Sequence, residues 1–274
     1  MAKVLEGPGM GLMKKWGIVV PNYVVVSSAE EFDRLVQANA WLQKSKLVAK
    51  AHEALGSRFK LGLVKVGLDL AGAKAALREM LGRQVGSITV SQVIVSEMVP
   101  HKEEYYAAVK STREGAEVLL ANCGGIEVES NWDRVKKLQL EVGGTPSHEA
   151  LEKLAKEAGF SGPLAKKMAD FAGKLFGCFD GEDAQYLEVN PVVAREGDGE
   201  LVALDAVTLL DADAKFRHPD WNFSFAAEFG RAYTKHEMEV MSVDSKIKGS
   251  VKFIEIPGGD TAMLPAGGGA SVYY

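Results

Sequence analysis

The segment Tyr186-Leu-Glu188-Val-Asn190-Pro191 carries the densest chemistry in the chain. Glu188 and Asn190 are two residues apart, so on a strand they share a face. Pro191 marks a sheet edge or the end of regular pairing. Further on, Glu196-Gly197-Asp198-Gly199 between two apolar runs predicts a hairpin. A turn centred on Gly197-Asp198 sets Asn190 opposite Asp205, with side chains about 5 Å apart. A slip of one residue removes that pairing. An amide oxygen and a carboxylate so placed suit Mg2+, a hard cation that takes one or two carboxylates, several waters and substrate phosphates. They equally suit a hydrogen-bonded polar hairpin without a metal, and spacing alone leaves both readings open.

A second group is cationic. Lys50 ends a predicted strand, and Arg58 and Lys60 flank the start of the next. Gly56-Ser57-Arg58-Phe59-Lys60 is a small basic loop whose N–H groups and charges would neutralise a polyphosphate, or would simply face solvent. Val95-Ser96-Glu97-Met98 lies in an apolar stretch with the look of a strand that lines a planar base, or of a plain core strand. Glu104 is a carboxylate for ribose hydroxyls or for water. Near the end, Pro265-Ala-Gly267-Gly268-Gly269-Ala-Ser-Val272 reads as a phosphate-facing Gly loop opening a helix, or as a tail.

These groups need elements to hold them. Residues 11–16 predict a short helix. Residues 23–26 predict a strand of β-branched residues, and Ser28 with Glu31 forms a capping box for the helix behind it. Strands are predicted at 47–50 and 61–68, with an alanine-rich helix at 71–80. Strands at 92–99, 105–111 and 118–121 follow as one antiparallel block. Helices from Ser147 to about 158 and over 163–176 precede the hairpin strands 185–193 and 201–206. Strands at 251–256 and 262–264 open a new unit. This order argues for mixed α/β or α+β rather than a doubly wound sheet.

The chain has 274 residues, 47% hydrophobic and 25% charged, with a net charge of −5. That is the balance of a soluble globular protein. The absence of a basic stripe argues against nucleic acid. The apolar runs are strand-length, too short to cross a membrane. Cys123 and Cys178 lack metal-ligand spacing and suit a reducing, cytoplasmic setting.

The order strand-Lys, cationic loop, apolar linker, Glu, then Glu-x-Asn and Asp on a hairpin resembles the ATP-grasp fold of the succinyl-CoA synthetase β-subunit and ATP-citrate lyase. Shared stretches include Lys60-Leu-Gly-Leu-Val64, Val99-Pro-His101, Thr112-Arg-Glu-Gly115, Gly124-Gly125, Glu188-Val-Asn-Pro191 and Ala266-Gly-Gly-Gly-Ala-Ser-Val272. They span essentially the whole chain, and the ATP-citrate lyase side is the nearer likeness.

The resemblance implies a two-lobed ATP-grasp domain over 1–243, its small lobe at about 20–97. It implies that 244–274 begin a flavodoxin-like CoA-ligase or citrate-binding domain that is cut short. It places Lys50, Arg58, Phe59 and Lys60 at nucleotide phosphates. The backbone of Val95, Ser96, Glu97 and Met98 falls at adenine, and Glu104 at ribose. Asn190 and Asp205 fall at Mg2+, and Gly267, Gly268 and Gly269 face a phosphate.

Phe59 departs from the glycine that the family often has there. The implied reaction passes phosphate from ATP to citrate through a phosphohistidine, giving citryl-CoA and then acetyl-CoA and oxaloacetate, with ADP released. None of His52, His101, His148, His218 and His236 matches the phosphohistidine, which belongs to a partner large subunit with the CoA-binding and lyase regions. The isolated chain would complete no turnover. Citryl-CoA synthetase, succinyl-CoA synthetase and a non-catalytic assembly module remain open beside this reading.

Overall fold

A computed structural model describes residues 2–56, 58–86, 88–226, 233–244, 246–247, 251–256 and 258–264. The chain divides into two compact units, Met1–Gly230 and Arg231–Tyr274. In chain order the first unit contains β1 (Ala2–Val4), α1 (Glu6–Lys15), β2 (Tyr23–Val26), α2 (Ala29–Ala38), α3 (Trp41–Lys44), β3 (Leu47–Ala51), β4 (Val64–Leu68) and α4 (Leu70–Met80). It continues with β5 (Gln84–Val85), β6 (Ile88–Thr89), β7 (Val93–Glu97), β8 (Glu104–Thr112), β9 (Gly115–Ala121), α5 (Glu127–Ser130) and β10 (Lys136–Glu141). It ends with α6 (His148–Glu157), α7 (Gly162–Gly181), β11 (Ala184–Ala194), β12 (Leu201–Ala203) and β13 (Val207–Leu210).

Two sheets organise this unit. The smaller is antiparallel in the order β2-β7-β3-β4. Its buried residues Leu47, Val93 and Val95 join Phe32 and Val36 of α2 and Ala73, Leu77 and Met80 of α4 in one core. The larger sheet runs β1-β13-β11-β8-β9-β10, with β12 also paired to β11. On one side Leu187 and Val189 pack with Leu151 and Leu154 of α6 and Phe171, Leu175 and Phe179 of α7. Tyr106, Leu119, Cys123 and Val128 form a second, smaller core. The expected mixed α/β class is the observed one. Both cysteines are buried, and burial pushes the Cys178 thiol up to about 12.

Local signals act where the sequence places them. The Ser28 hydroxyl accepts from the Glu31 N–H at 3.1 Å, and the Ser147 hydroxyl from the Ala150 N–H at 3.2 Å. Glu31 reaches back to the N–H and hydroxyl of Ser27, one residue before the cap, at 2.7 and 2.8 Å. Asp69 caps α4 through the Gly72 N–H at 2.7 Å.

Three expectations are corrected. The first helix begins at Glu6 rather than Gly11. Pro8 falls in the first turn, where its missing N–H costs nothing. Gly9 lets the helix approach β13, because a Cβ there would lie 2.7 Å from the Thr208 hydroxyl. Second, β7 does not join β8 and β9 in one antiparallel block; it pairs with β2 and β3 in the small sheet. Third, residues 251–256 and 262–264 form no strand among the described residues. Their amides turn to side chains instead: Val251 N–H donates to Asp244 at 2.6 Å, and Glu255 N–H to Glu237 at 2.9 Å.

The second unit is built on α8 (Lys235–Asp244). Thr234 and Glu237 cap it reciprocally. Glu237 N–H donates to the Thr234 hydroxyl at 3.2 Å, and Thr234 N–H to the buried Glu237 carboxylate at 2.7 Å. No helix among the described residues is long and apolar enough to cross a membrane.

Candidate functional site

Lys50 lies in β3, where strand alternation turns its side chain toward the large sheet. The ammonium is buried and donates to Glu6 Oε1 and to the Leu204 carbonyl, both at 2.7 Å. Arg58 arrives from the loop between β3 and β4. Its Nη1 donates to the Ala51 carbonyl at 3.0 Å and sits 2.5 Å from Glu6 Oε2. Its Nη2 donates to both oxygens of Asp205, at 3.0 and 2.8 Å. Asp205 lies in the break between β12 and β13 and also accepts from the Ala206 N–H at 2.8 Å. Two cations from the small-sheet region and a carboxylate from the large sheet thus meet at one point.

The electrostatics follow from this closure. Burial pushes the Asp205 carboxyl up, but the charges of Lys50 and Arg58 outweigh it and hold the carboxyl below the usual aspartate range. Burial pulls Arg58 down, and Glu6 and Asp205 more than reverse this. Both groups stay ionised.

The predicted hairpin register is present. Val192 pairs with Ala203, Val193 with Val202 and Ala194 with Leu201. Beyond the break, Glu188 pairs with Val207. Asn190 and Asp205 therefore fall at facing positions between two paired stretches, and the Leu204 N–H donates to the Pro191 carbonyl at 3.1 Å. Their side chains have other partners. The Asn190 Oδ1 accepts from the Gly125 N–H at 2.6 Å, and its Nδ2 donates to the Gly125 carbonyl at 3.3 Å. The register of β11 against β8 shifts between Val189 and Val192, which is where Asn190 leaves the ladder.

Glu104 opens β8 opposite Val193, and its Oε1 is 3.5 Å from His101 Nε2. Gly125 lies against its carboxylate, since a Cβ on Gly125 would be 2.1 Å from Glu104 Oε2. The turn Gly124-Gly125 thus links the ribose candidate Glu104 to the metal candidate Asn190. Gly124 is pressed onto the backbone of Tyr105, with a hypothetical Cβ 2.6 Å from its carbonyl.

The hinge residues are placed less simply. Val95 and Ser96 are buried in β7 between two neighbours. The N–H groups of Glu97 and Met98 donate to the carbonyls of Asn22 and Lys46, each at 2.8 Å. The Glu97 carboxylate accepts from Ser45 and Asn22 at 2.6 and 2.9 Å. Phe59 is 61% exposed at the tip of the turn, and Lys60 is exposed beside it. Ser57 and Gly267, Gly268 and Gly269 lie outside the described residues.

Sequence reasoning missed Glu6, His52 and two tyrosines. The Gly7 N–H donates to His52 Nε2 at 2.9 Å, which leaves Nδ1 to donate to Gln92 Oε1 at 3.1 Å. Tyr106 donates to Glu188 Oε2 at 3.0 Å, and the Tyr186 hydroxyl donates to the same oxygen. The Glu-x-Asn spacing signals Glu188, but no local pattern signals Glu6 or the tyrosines.

A metal fits the chemistry of this donor set. Asp205 offers hard oxygens and its side chain is 27% exposed, so one side of it is open; the Asn190 amide oxygen is of the same donor type and is held by the Gly125 N–H. Among the described residues there is no cluster of three or more His, Cys, Asp or Glu able to hold a metal.

Comparison with known proteins bears on the whole arrangement. Residues 11–221 match the family model of the ATP-citrate synthase ATP-grasp domain, and residues 231–274 that of ATP citrate lyase citrate-binding. ATP-citrate synthase alpha chain protein 2 of Arabidopsis thaliana is 34% identical over 92% of this chain, which spans 60% of that relative. ATP-citrate synthase of Homo sapiens is 34% identical over 92% of this chain and 23% of its own length.

Among solved structures, ATP citrate lyase from Methanothrix soehngenii in complex with citrate and coenzyme A superposes with a TM-score of 0.81. It is 27% identical, over 99% of this chain and 67% of that one. A dinucleotide forming acetyl-coenzyme A synthetase from Ca. Korarchaeum cryptofilum shares the fold, with a TM-score of 0.63 at 21% identity over 77% of this chain and 94% of that one. With the ATP-grasp match covering most of its length and both lobes built as that fold requires, this chain belongs to the ATP-citrate synthase ATP-grasp family.

Proposed function

We propose that this chain is the ATP-binding part of an ATP-citrate lyase. The observation that carries the reading is the meeting of Lys50 and Arg58, from the small-sheet region, with Asp205 of the large sheet. A nucleotide between the two sheets would place its phosphates at Lys50 and Arg58. Lys60 would add charge at the rim, and Phe59 would leave the approach open by pointing into solvent. The segment from Val95 to Met98 would border the base, and Glu104 the ribose. Asn190 and Asp205 would hold Mg2+, which neutralises phosphate charge when bound. The chain's own contribution is then positioning and charge, since phosphoryl transfer asks little covalent chemistry of the protein.

The phosphoryl group would pass to a histidine on a partner large subunit and then to citrate, with CoA as co-substrate. His52 is unsuited to carry it, being buried with both ring nitrogens bonded. The unit Arg231–Tyr274, built on α8, would begin the citrate-binding domain. The test is an assay of the complex with its large subunit, given ATP, CoA and either citrate or succinate. Oxaloacetate from citrate supports the reading. Release of citryl-CoA without oxaloacetate indicates a citryl-CoA synthetase, and succinyl-CoA from succinate a succinyl-CoA synthetase. No product with either acid favours an assembly module.

A further inference from the structure

Residues assigned above to two different ligands are bonded to each other. Arg58, on the phosphate side, closes a bidentate pair on Asp205, on the metal side, at 3.0 and 2.8 Å. Lys50, Arg58, Glu6 and Asp205 are two cations and two anions, so the cluster is balanced. Among these four the charges cancel, Lys3 lies within electrostatic reach of Arg58 and Asp205, and the Nη2 edge of Arg58 is already taken.

The two anions are held differently. Glu6 is buried, its side chain only 4% exposed. Its helix start is pinned where the Gly7 N–H donates to His52 at 2.9 Å and the Tyr23 hydroxyl donates to the Gly7 carbonyl at 2.7 Å. Glu6 also precedes residues 11–221, the part that the ATP-grasp family model matches. Asp205 sits in the strand break and is open on one side.

We infer that Asp205 is a latch on Arg58. A divalent cation that takes the Asp205 carboxylate breaks the bidentate pair and frees the Nη2 edge for a phosphate oxygen. Glu6 remains in contact with Nη1 and with Lys50, so the guanidinium stays in place when released. Metal and nucleotide then favour one another's binding, and the coupling resides in one exchangeable ion pair. This rests on the metal–nucleotide reading of Lys50, Arg58, Asn190 and Asp205, and adds to it a reason for the two ligands to bind together.

The experiment is calorimetric titration of the 274-residue chain with ADP, with and without Mg2+, for the parent and for Asp205→Asn. The substitution keeps the shape and removes the charge, so the bidentate ion pair on Arg58 is lost and at most one hydrogen bond to a neutral oxygen remains. Metal-free ADP should bind the variant about tenfold tighter than the parent, the loss of one charged hydrogen-bonded pair. Mg2+ should strengthen binding to the parent and not to the variant.

If the variant binds metal-free ADP no tighter than the parent while the Mg2+ effect is gone, the latch is overturned and the metal assignment survives. If the Mg2+ effect persists in the variant, the metal assignment falls and the latch with it. Should Asp205→Asn not fold, nitrogen-15 spectra of arginine side chains in the parent decide the matter. Mg2+ alone should loosen the hindered rotation of the Arg58 guanidinium; an unchanged Arg58 signal overturns the latch.

Discussion

Lys50 donates to Glu6 and to the Leu204 carbonyl, and these two bonds fix where its third N–H can point. Lys50→Ala should lower nucleotide affinity by about tenfold or more, the value of a charge-assisted contact. A calorimetric titration indistinguishable from the parent would remove Lys50 from the site. The residue types at this scale were legible. Lys50 and Arg58 stand out as cations at a strand end and in a small basic loop, and Asp205 as the residue a Gly197-Asp198 turn sets opposite Asn190. Their mutual contact was not legible, because Arg58 and Asp205 are 147 residues apart in sequence and no local pattern reports such a distance. Glu6 was hidden for a related reason: its neighbours Gly7, Pro8 and Gly9 argue against a helix, and only packing on β13 and His52 makes one.

Elements place these residues through a few close approaches. The turn Gly124-Gly125 seats Asn190 and meets Glu104, and Gly124 lies against the Tyr105 backbone. Gly124→Ala would put its Cβ 2.6 Å from the Tyr105 carbonyl and 2.7 Å from its amide nitrogen, so the turn must lift. The change should cost about 1–3 kcal/mol of stability and weaken Mg-nucleotide binding as Asn190 loses its seat. Denaturant unfolding and nucleotide titration of the variant check both; parent values in each would show that Asn190 does not depend on the turn.

Helix α1 is held by a neutral histidine. Burial depresses the His52 pKa below 6.5, and the Gly7 N–H requires an unprotonated Nε2. A lowered folded pKa means that the unfolded chain takes up this proton first. Stability therefore falls as pH drops from 6.5 toward the folded value. Urea midpoints should decline on acidification below that point, and His52→Gln should flatten the decline. An identical pH slope in the variant would contradict the assignment. The hairpin register was readable because a Gly-rich turn fixes it. The departure of Asn190 toward Gly125 was not, since it depends on a register shift against β8, a strand distant in sequence.

At the scale of the whole molecule, two sheets bring their site residues to one place, and a buried carboxylate helps to fix the frame. Glu182 accepts from Trp16, Trp221 and Lys15, each at 2.8 Å, joining the ends of α1 and α7 to the segment that follows β13. The chain spans 60% of the length of its plant relative. What this chain should do unaided is bind Mg-nucleotide. Thermal unfolding with and without Mg-ADP measures that directly. At about one hundred times its Kd the ligand should add about 2.7 kcal/mol of stability, and Lys50→Ala, with affinity about tenfold lower, should cut the shift to about 1.4 kcal/mol. No stabilisation of the parent at millimolar Mg-ADP, or an undiminished shift in Lys50→Ala, would contradict the site described above.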